Sequence, residues 1–345
     1  MPTPRSPESV VLDHASHVMR TDPTATDRSL LIQRGDRLTR LSGEGAVDFV
    51  EALLALAEHG EVPIGSLDDF DAGQAAAVRE MLNHLVDAGL LVGPDDHVAV
   101  RAASSTARAL WDRCGRSMPV GDIQARLDLA LIGVAGESML ASRIASTLCD
   151  AGLAAMRPRE PGAGSPTAAS TSAPDLRIVV GEHEHDPRFD AADAEAADTG
   201  VSWWAVIPHD GVRAVVGPFM LPGVSACWTC FRLRRAANFP DRTQVAALAT
   251  ATTIGPTPPP ASSPGLESVQ SGLLVEQVVE RIGLGELAGS AVPGGVTTMW
   301  IDGDGMHLER HRVLRVPRCR ACSPATNRGL PQVCYHGSVT TEVSS

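Results

Sequence analysis

Four of the seven cysteines fall in two Cys-x-x-Cys turns, "CWTCFRLRR" at 227–235 and "CRACSP" at 319–324. Two intervening residues let both thiolates of a turn point at one ion, and two such turns complete a tetrahedral sulfur site for zinc. Cys227, Cys230, Cys319 and Cys322 are therefore read as metal ligands. Four protein ligands leave no position for a reacting water, so the expected role is structural: pinning the C-terminal segment to a sheet. The competing chemistry is dithiol redox, which wants Cys-x-x-Cys opening a helix after an early strand. Neither pair reads as sitting in that setting. Cys114, Cys149 and Cys334 have no partner in sequence. Cys149 is expected in the core on the first helix of an α/β unit, and Cys334 in a C-terminal tail. A thiol nucleophile is the remaining reading of these three.

The second chemical candidate is a glycine turn, "GVAGES", holding Gly133, Gly136 and Glu137. A dinucleotide site wants G-x-G-x-x-G between strand and helix, so that backbone amides approach phosphate. Here the second glycine is displaced, and a carboxylate stands at the positive end of the helix. The turn is expected to be structural and to bind no nucleotide. "GEHEHD" (181–186) brings His183 and His185 together, as a metal or substrate site or as a solvated loop. "FRLRR" offers Arg232, Arg234 and Arg235 to an acidic partner or to solvent. Trp203 and Trp204 are expected to pack.

Composition narrows the choices. The 345 residues suffice for two domains. The net charge of −12 argues against a general nucleic-acid binder. All 29 basic residues are arginine, so mechanisms that need a lysine, such as a P-loop or a Schiff base, are excluded. No apolar run is long enough to span a membrane, and the N-terminus lacks a charged-then-apolar signal pattern. A cytoplasmic location is expected, where paired Cys-x-x-Cys favours metal or redox chemistry over a structural disulfide.

These candidates need elements to position them. "SLLIQRGDRLTRL" (29–41) predicts a hairpin around Gly35-Asp36. Its alternation is imperfect, because Leu38 and Arg40 share a face. "EGAVDFVEALLALAEHG" predicts a helix with Val47, Val50, Leu54 and Ala57 at helical spacing, ended by Gly60. "GQAAAVREMLNHLVDAGLL" predicts a second, with Val78, Leu82, Leu85 and Val86 on one face and Gly89 as its stop. "LLVGPDDHVAV" (90–100) suits a strand or wing. Residues 1–103 thus read as a winged-helix-like α+β domain, and 104–126 as a linker. From 127 the chain reads strand, glycine turn, helix, then strands "DLRIVV", "VSWWAVIP" and "RAVVGPFMLPG" and a helix at 267–283. Strands alternating with helices predict a largely parallel, Rossmann-like α/β sheet over 127–345. The stretches 159–174 and 254–265 are rich in Pro, Gly, Ser and Thr and are expected to be flexible, as is a tail from about 325.

"VVGPFMLPGVSACWTCFRLRR" with the distant "VPRCRAC" resembles the ThiF-like proteins related to ubiquitin-activating enzymes. The likeness is to the branch that partners cyclodehydratases in azole-peptide (bacteriocin and thiopeptide) biosynthesis. It covers roughly 127–325, and the first hundred residues are similar to the peptide-recognition element of such proteins. The resemblance implies a ThiF-type domain carrying structural zinc, and an N-terminal element that binds the leader of a ribosomal precursor peptide. The leader would add as a strand beside the hairpin and lie against the second helix, contacting Arg34, Arg37, Leu38, Thr39, Arg40, Val78, Leu82 and Leu85. A separate YcaO-type cyclodehydratase would use ATP to form thiazolines or oxazolines, with this chain as a non-catalytic presenting subunit that could itself be a homodimer.

From the residues themselves, an exposed strand edge accepts extended peptides through main-chain hydrogen bonds, and Arg34, Arg37 and Arg40 would steer an acidic one. Two other readings stay open. An adenylating ThiF-like enzyme would activate a C-terminal carboxylate, against the missing lysine and displaced glycine. A DNA-binding regulator would use the second helix, whose Glu80 and Asp87 suit phosphate poorly.

Overall fold

The structure is a computed structural model and describes residues 9–13, 16–20, 28–56, 61–63, 71–92, 96–156, 173–238, 241 and 263–323. The expectations for Ala57, Gly60, Cys334 and the tail, and for most of 159–174 and 254–265, lie outside those residues. The chain divides into two compact units, Met1–Gln124 and Ala125–Ser345.

The first unit runs β1 (Ser9–Leu12), β2 (Ser16–Arg20), β3 (Ser29–Arg34), β4 (Arg37–Ser42), α1 (Glu44–Leu56), β5 (Glu61–Pro63), α2 (Ala72–Asp87), β6 (Leu91–Val92), α3 (His97–Ala102) and α4 (Ser105–Arg113). Its strands form two three-stranded sheets, β5-β1-β6 and β2-β3-β4. The β3–β4 hairpin closes at Arg34↔Arg37, leaving Gly35-Asp36 as its two-residue turn. Gly35 takes φ +57°, the positive value a turn of this length requires. Leu30 and Ile32 turn inward onto a core built with Val47, Val50 and Leu53 of α1 and Leu82 and Leu85 of α2. Leu31, Gln33, Leu38 and Arg40 pair with one another on the opposite face, so Leu38 and Arg40 do share the outer side.

The segment 104–126 carries helix: α4 occupies its first half, and α5 (Val120–Leu129) follows. Ser104 caps α4 by accepting from the Ala107 amide, and Leu110 and Trp111 are buried, which gives the segment a packed face of its own. The stretch 90–100, read as a strand or wing, holds a two-residue strand at Leu91–Val92, and helix begins at His97. A charge network joins α4 to the sheets. Asp13, whose side chain is fully buried, pairs with Arg116 and Arg34, and both arginines also reach Asp112. Buried charges persist only when paired in this way.

In the second unit, β7 (Leu131–Ala135), α6 (Met139–Asp150), β8 (Ala154–Met156), β9 (Leu176–Val180), α7 (Pro187–Thr199) and β10 (Ser202–Ile207) make a parallel half-sheet. Then β11 (Arg213–Met220), α8 (Trp228–Ala236), α9 (Pro264–Leu284), β12 (Gly295–Asp302) and β13 (Gly305–Arg312) complete it. The strand order is β13-β12-β11-β10-β9-β7-β8. The expected largely parallel sheet is therefore mixed, since β11, β12 and β13 pair antiparallel. Five residues join β10 to β11, and a parallel return needs a crossover of a dozen or more. Trp203 and Trp204 pack as expected: both are buried, and Trp204 stacks on Phe219. Ser263 caps α9 by accepting from the Leu266 amide, with Pro264 in its first turn, so the proline-rich stretch ends by opening a helix.

Candidate metal centre

The first Cys turn is positioned by the core beneath it. Cys227 is the N-cap of α8 and Cys230 lies in its first turn. Between them Trp228 is driven into an aromatic cluster, with ring centroids 4.4 Å from Phe189 and 4.8 Å from Phe231. Its backbone amide donates to Asp193 of α7 at 3.2 Å. The pair thus does open a helix, contrary to the sequence reading. It follows a turn at the end of β11 rather than an early strand.

The second turn is knitted onto the first by the main chain. The Val313 amide donates to Gly294 at 2.8 Å, and the Val316 amide to the Cys230 sulfur at 3.3 Å. Arg234 of α8 holds the Leu314 and Arg315 carbonyls, and Arg315 holds those of Gly223 and Cys322. The four sulfurs converge within 4.8 Å of one another. Cys227 and Cys319 stand 3.7 Å apart, and Cys230 and Cys322 3.5 Å. A tetrahedron of sulfurs at about 2.3 Å from zinc has edges of about 3.8 Å, so the cluster fits a four-thiolate ion. Burial, the largest influence, pushes the Cys227 and Cys230 thiols up. At Cys319 burial acts in the same direction, but the Cys322 and Ala321 amides and the neighbouring thiols outweigh it and bring that thiol to about 7. These four cysteines can hold a metal ion.

The other candidates disperse. Cys149 is exposed, not in the core: Leu140, Ala141, Ile144 and Leu148 take the buried face of α6 and leave position 149 outside. The "FRLRR" arginines are committed within the chain, Arg232 to Asp190 and Arg235 to Glu184. The His185 amide donates to the His183 ring, and Glu184 between them pairs with Arg213 and Arg235. Burial lowers the His185 pKa. In the glycine turn, a Cβ on Gly136 (φ +138°) would lie 2.9 Å from the Val180 carbonyl and 3.0 Å from its Cβ. That glycine is needed for strand packing. A cavity of about 490 Å³ beside Cys227 and Cys322 is floored by Trp203 and Met220. Trp203 lies at the N-terminal end of β10, so the cavity lies at the opposite end of the parallel strands from the Gly136 turn, away from where open α/β sheets take nucleotides.

On the hairpin, Leu38 is 57% exposed and Arg37, Thr39 and Arg40 keep at least part of their surface. Arg34 is held by Asp13 and Asp112. Leu82 and Leu85 are 7% and 1% exposed, spent on the core, and Val78 is half-buried. Helix α1 packs against β3 and β4, and α2 joins the same core through Leu82 and Leu85.

No protein-family model and no curated protein matches the chain. Solved structures do match its fold. The heterocyclase TruD aligns with a TM-score of 0.61 at 19% identity, over 92% of this chain and 43% of its own length. A heterocyclase in complex with substrate and cofactor aligns at 0.59 and 16%, over 92% of this chain and 40% of that one. Escherichia coli MccB aligns at 0.53 and 11%, over 95% of this chain and 100% of its own. The chain therefore spans about two-fifths of the length of the heterocyclases it matches. At these identities the likeness establishes the fold, a mixed α/β architecture shared with heterocyclases and MccB. No helix among the described residues is long and apolar enough to cross a membrane.

Proposed function

We propose that the chain is a leader-binding subunit that presents a ribosomal precursor peptide to a separate YcaO-type cyclodehydratase, which spends the ATP and forms the azolines. The observation that carries the reading is β4, the end strand of the β2-β3-β4 sheet. The Arg34↔Arg37 closing pair bonds inward, so the main-chain groups of Leu38, Arg40 and Ser42 turn away from β3. An extended leader adds there as a fourth strand, with Leu38 as an apolar contact and Arg37 and Arg40 attracting its acidic residues. Thr39 and Val78 remain secondary contacts, whereas Arg34, Leu82 and Leu85 are occupied elsewhere in the free protein. The fold shared with heterocyclases and with MccB supports the peptide-handling reading. The four thiolates hold zinc as a structural pin between α8 and the C-terminal segment.

Against self-adenylation stand the absence of lysine and the packing that fills the Gly136 turn. The test is calorimetric titration of the protein with a synthetic leader peptide and, separately, with ATP. The expected result is micromolar leader binding that Arg37→Glu weakens about tenfold, roughly 1.4 kcal/mol, and no heat from ATP. ATP binding without leader binding would turn the assignment to an adenylating enzyme.

A further inference from the structure

The α7 sequence spaces Asp190, Asp193, Ala194 and Ala197 at i, i+3, i+4 and i+7, so one stripe of the helix carries carboxylates and methyl groups together. Its buried stripe is a different one, Phe189, Ala192 and Ala196. The first stripe walls the cavity of about 490 Å³ beside Cys227 and Cys322. Alanine at 194 and 197 leaves space that longer side chains would fill. A second wall is the turn after β11, which the fold holds in place: the Leu221 amide donates to Ser225 at 2.8 Å, and Arg315 donates to the Gly223 carbonyl at 3.0 Å. Every ionisable group lining the cavity is a carboxylate or a thiol: Asp190, Asp193, Cys227 and Cys322. Asp190 pairs with Arg232 at 3.2 Å. Asp193 is half-buried and accepts from the neutral Trp228 amide. Among the described residues it enters no ion pair. A carboxylate withdrawn from water needs a compensating charge, and this wall supplies none. Trp203, on the floor, is 1% exposed, and its indole N–H has no acceptor among the described residues.

We propose that this cavity binds an arginine side chain of a peptide, its guanidinium on Asp190 and Asp193 and its aliphatic stem against Met220, Leu221 and the two alanines. The acceptors select this ligand. Carboxylates three residues apart on a helix are neighbours, and a planar guanidinium with its fork of N–H donors can bridge them, whereas an anion is repelled. Arg232 already shows that Asp190 accepts such a group from α8, and a carboxylate has lone pairs for more than one donor. The apolar walls suit the stem, which arginine buries while its head stays charged. A peptide also brings main-chain carbonyls, the kind of acceptor that the Trp203 indole lacks. The size of the cavity is that of a preformed ligand site. All of its lining belongs to the second unit, so the inference goes beyond leader capture and does not depend on it.

Calorimetric titration of the full, metal-loaded chain with the blocked tripeptide acetyl-Ala-Arg-Ala-amide tests it, beside the norleucine analogue and free butylguanidine. The arginine peptide is expected to bind at submillimolar concentration, and the other two at least tenfold more weakly. Asp193→Asn keeps an acceptor for the Trp228 amide and should weaken the arginine peptide at least tenfold with metal content unchanged. Ala197→Phe, at an exposed helix position, fills the cavity and should abolish binding with an unchanged melting curve. If Asp193→Asn sheds its metal, Ala197→Phe decides alone. A norleucine peptide or butylguanidine that binds as tightly as the arginine peptide, binding that survives Ala197→Phe, or a wild type silent to all three at millimolar concentration overturns the proposal.

Discussion

Four thiols that look equivalent in sequence are unequally prepared to ionise. Burial pushes the Cys227 and Cys230 thiols up, whereas the amides of Cys322 and Ala321 help bring Cys319 to about 7. A metal ion must displace the remaining protons, and binding free energy becomes folding free energy. The double variant Cys319→Ser/Cys322→Ser is expected to lose the ion and to lower the melting temperature by roughly 10 °C. Metal analysis and thermal denaturation check this, and unchanged metal content and melting would rule out the four-thiolate site. The spacing of the pairs was legible because the ligand turn is local. The differing acidities were not, because they come from groups the fold brings to each sulfur.

At the scale of elements, the glycine turn shows how one motif serves packing in place of chemistry. Gly136 lies so close to Val180 that any side chain there pushes β7 and β9 apart. Gly136→Ala is expected to cost about 2–3 kcal/mol in denaturant unfolding while leaving the response to ATP unchanged. A loss of ATP binding with stability intact would restore the turn as a nucleotide site. The hairpin, both long N-terminal helices, β7, α6 and β11 were readable from periodicity and turn residues. Helix α7 escaped because only Phe189, Ala192 and Ala196 are buried along its thirteen residues, too sparse an apolar stripe to register. The β12–β13 hairpin escaped because nearly all of β13 is exposed and carries no alternation.

For the whole molecule, the division at Gln124–Ala125 separates peptide capture from metal binding in the proposed scheme. Each unit has its own core, one on Leu30, Ile32, Val47 and Leu85, the other on Trp203, Trp228, Phe189 and Val296. Removing residues 1–118 is expected to abolish leader affinity and to leave a folded, metal-loaded remainder, judged by calorimetry, metal content and a cooperative melt. Leader affinity that survives the truncation would move the peptide site into the second unit.

By itself the sequence determined which four cysteines could hold a metal ion, through its two Cys-x-x-Cys turns, together with the alternation of strand and helix and the exclusion of lysine chemistry. All are properties of composition or of residues within a turn or two of one another. Only the tertiary structure decided that the sheet turns antiparallel after β10, that Leu82 and Leu85 are spent on the core, and that Arg34 belongs to Asp13 and Asp112. It also brought together sulfurs 92 residues apart. Short-range periodicity says which side of an element is apolar. Which partner that side meets depends on chain crossings that no local window contains.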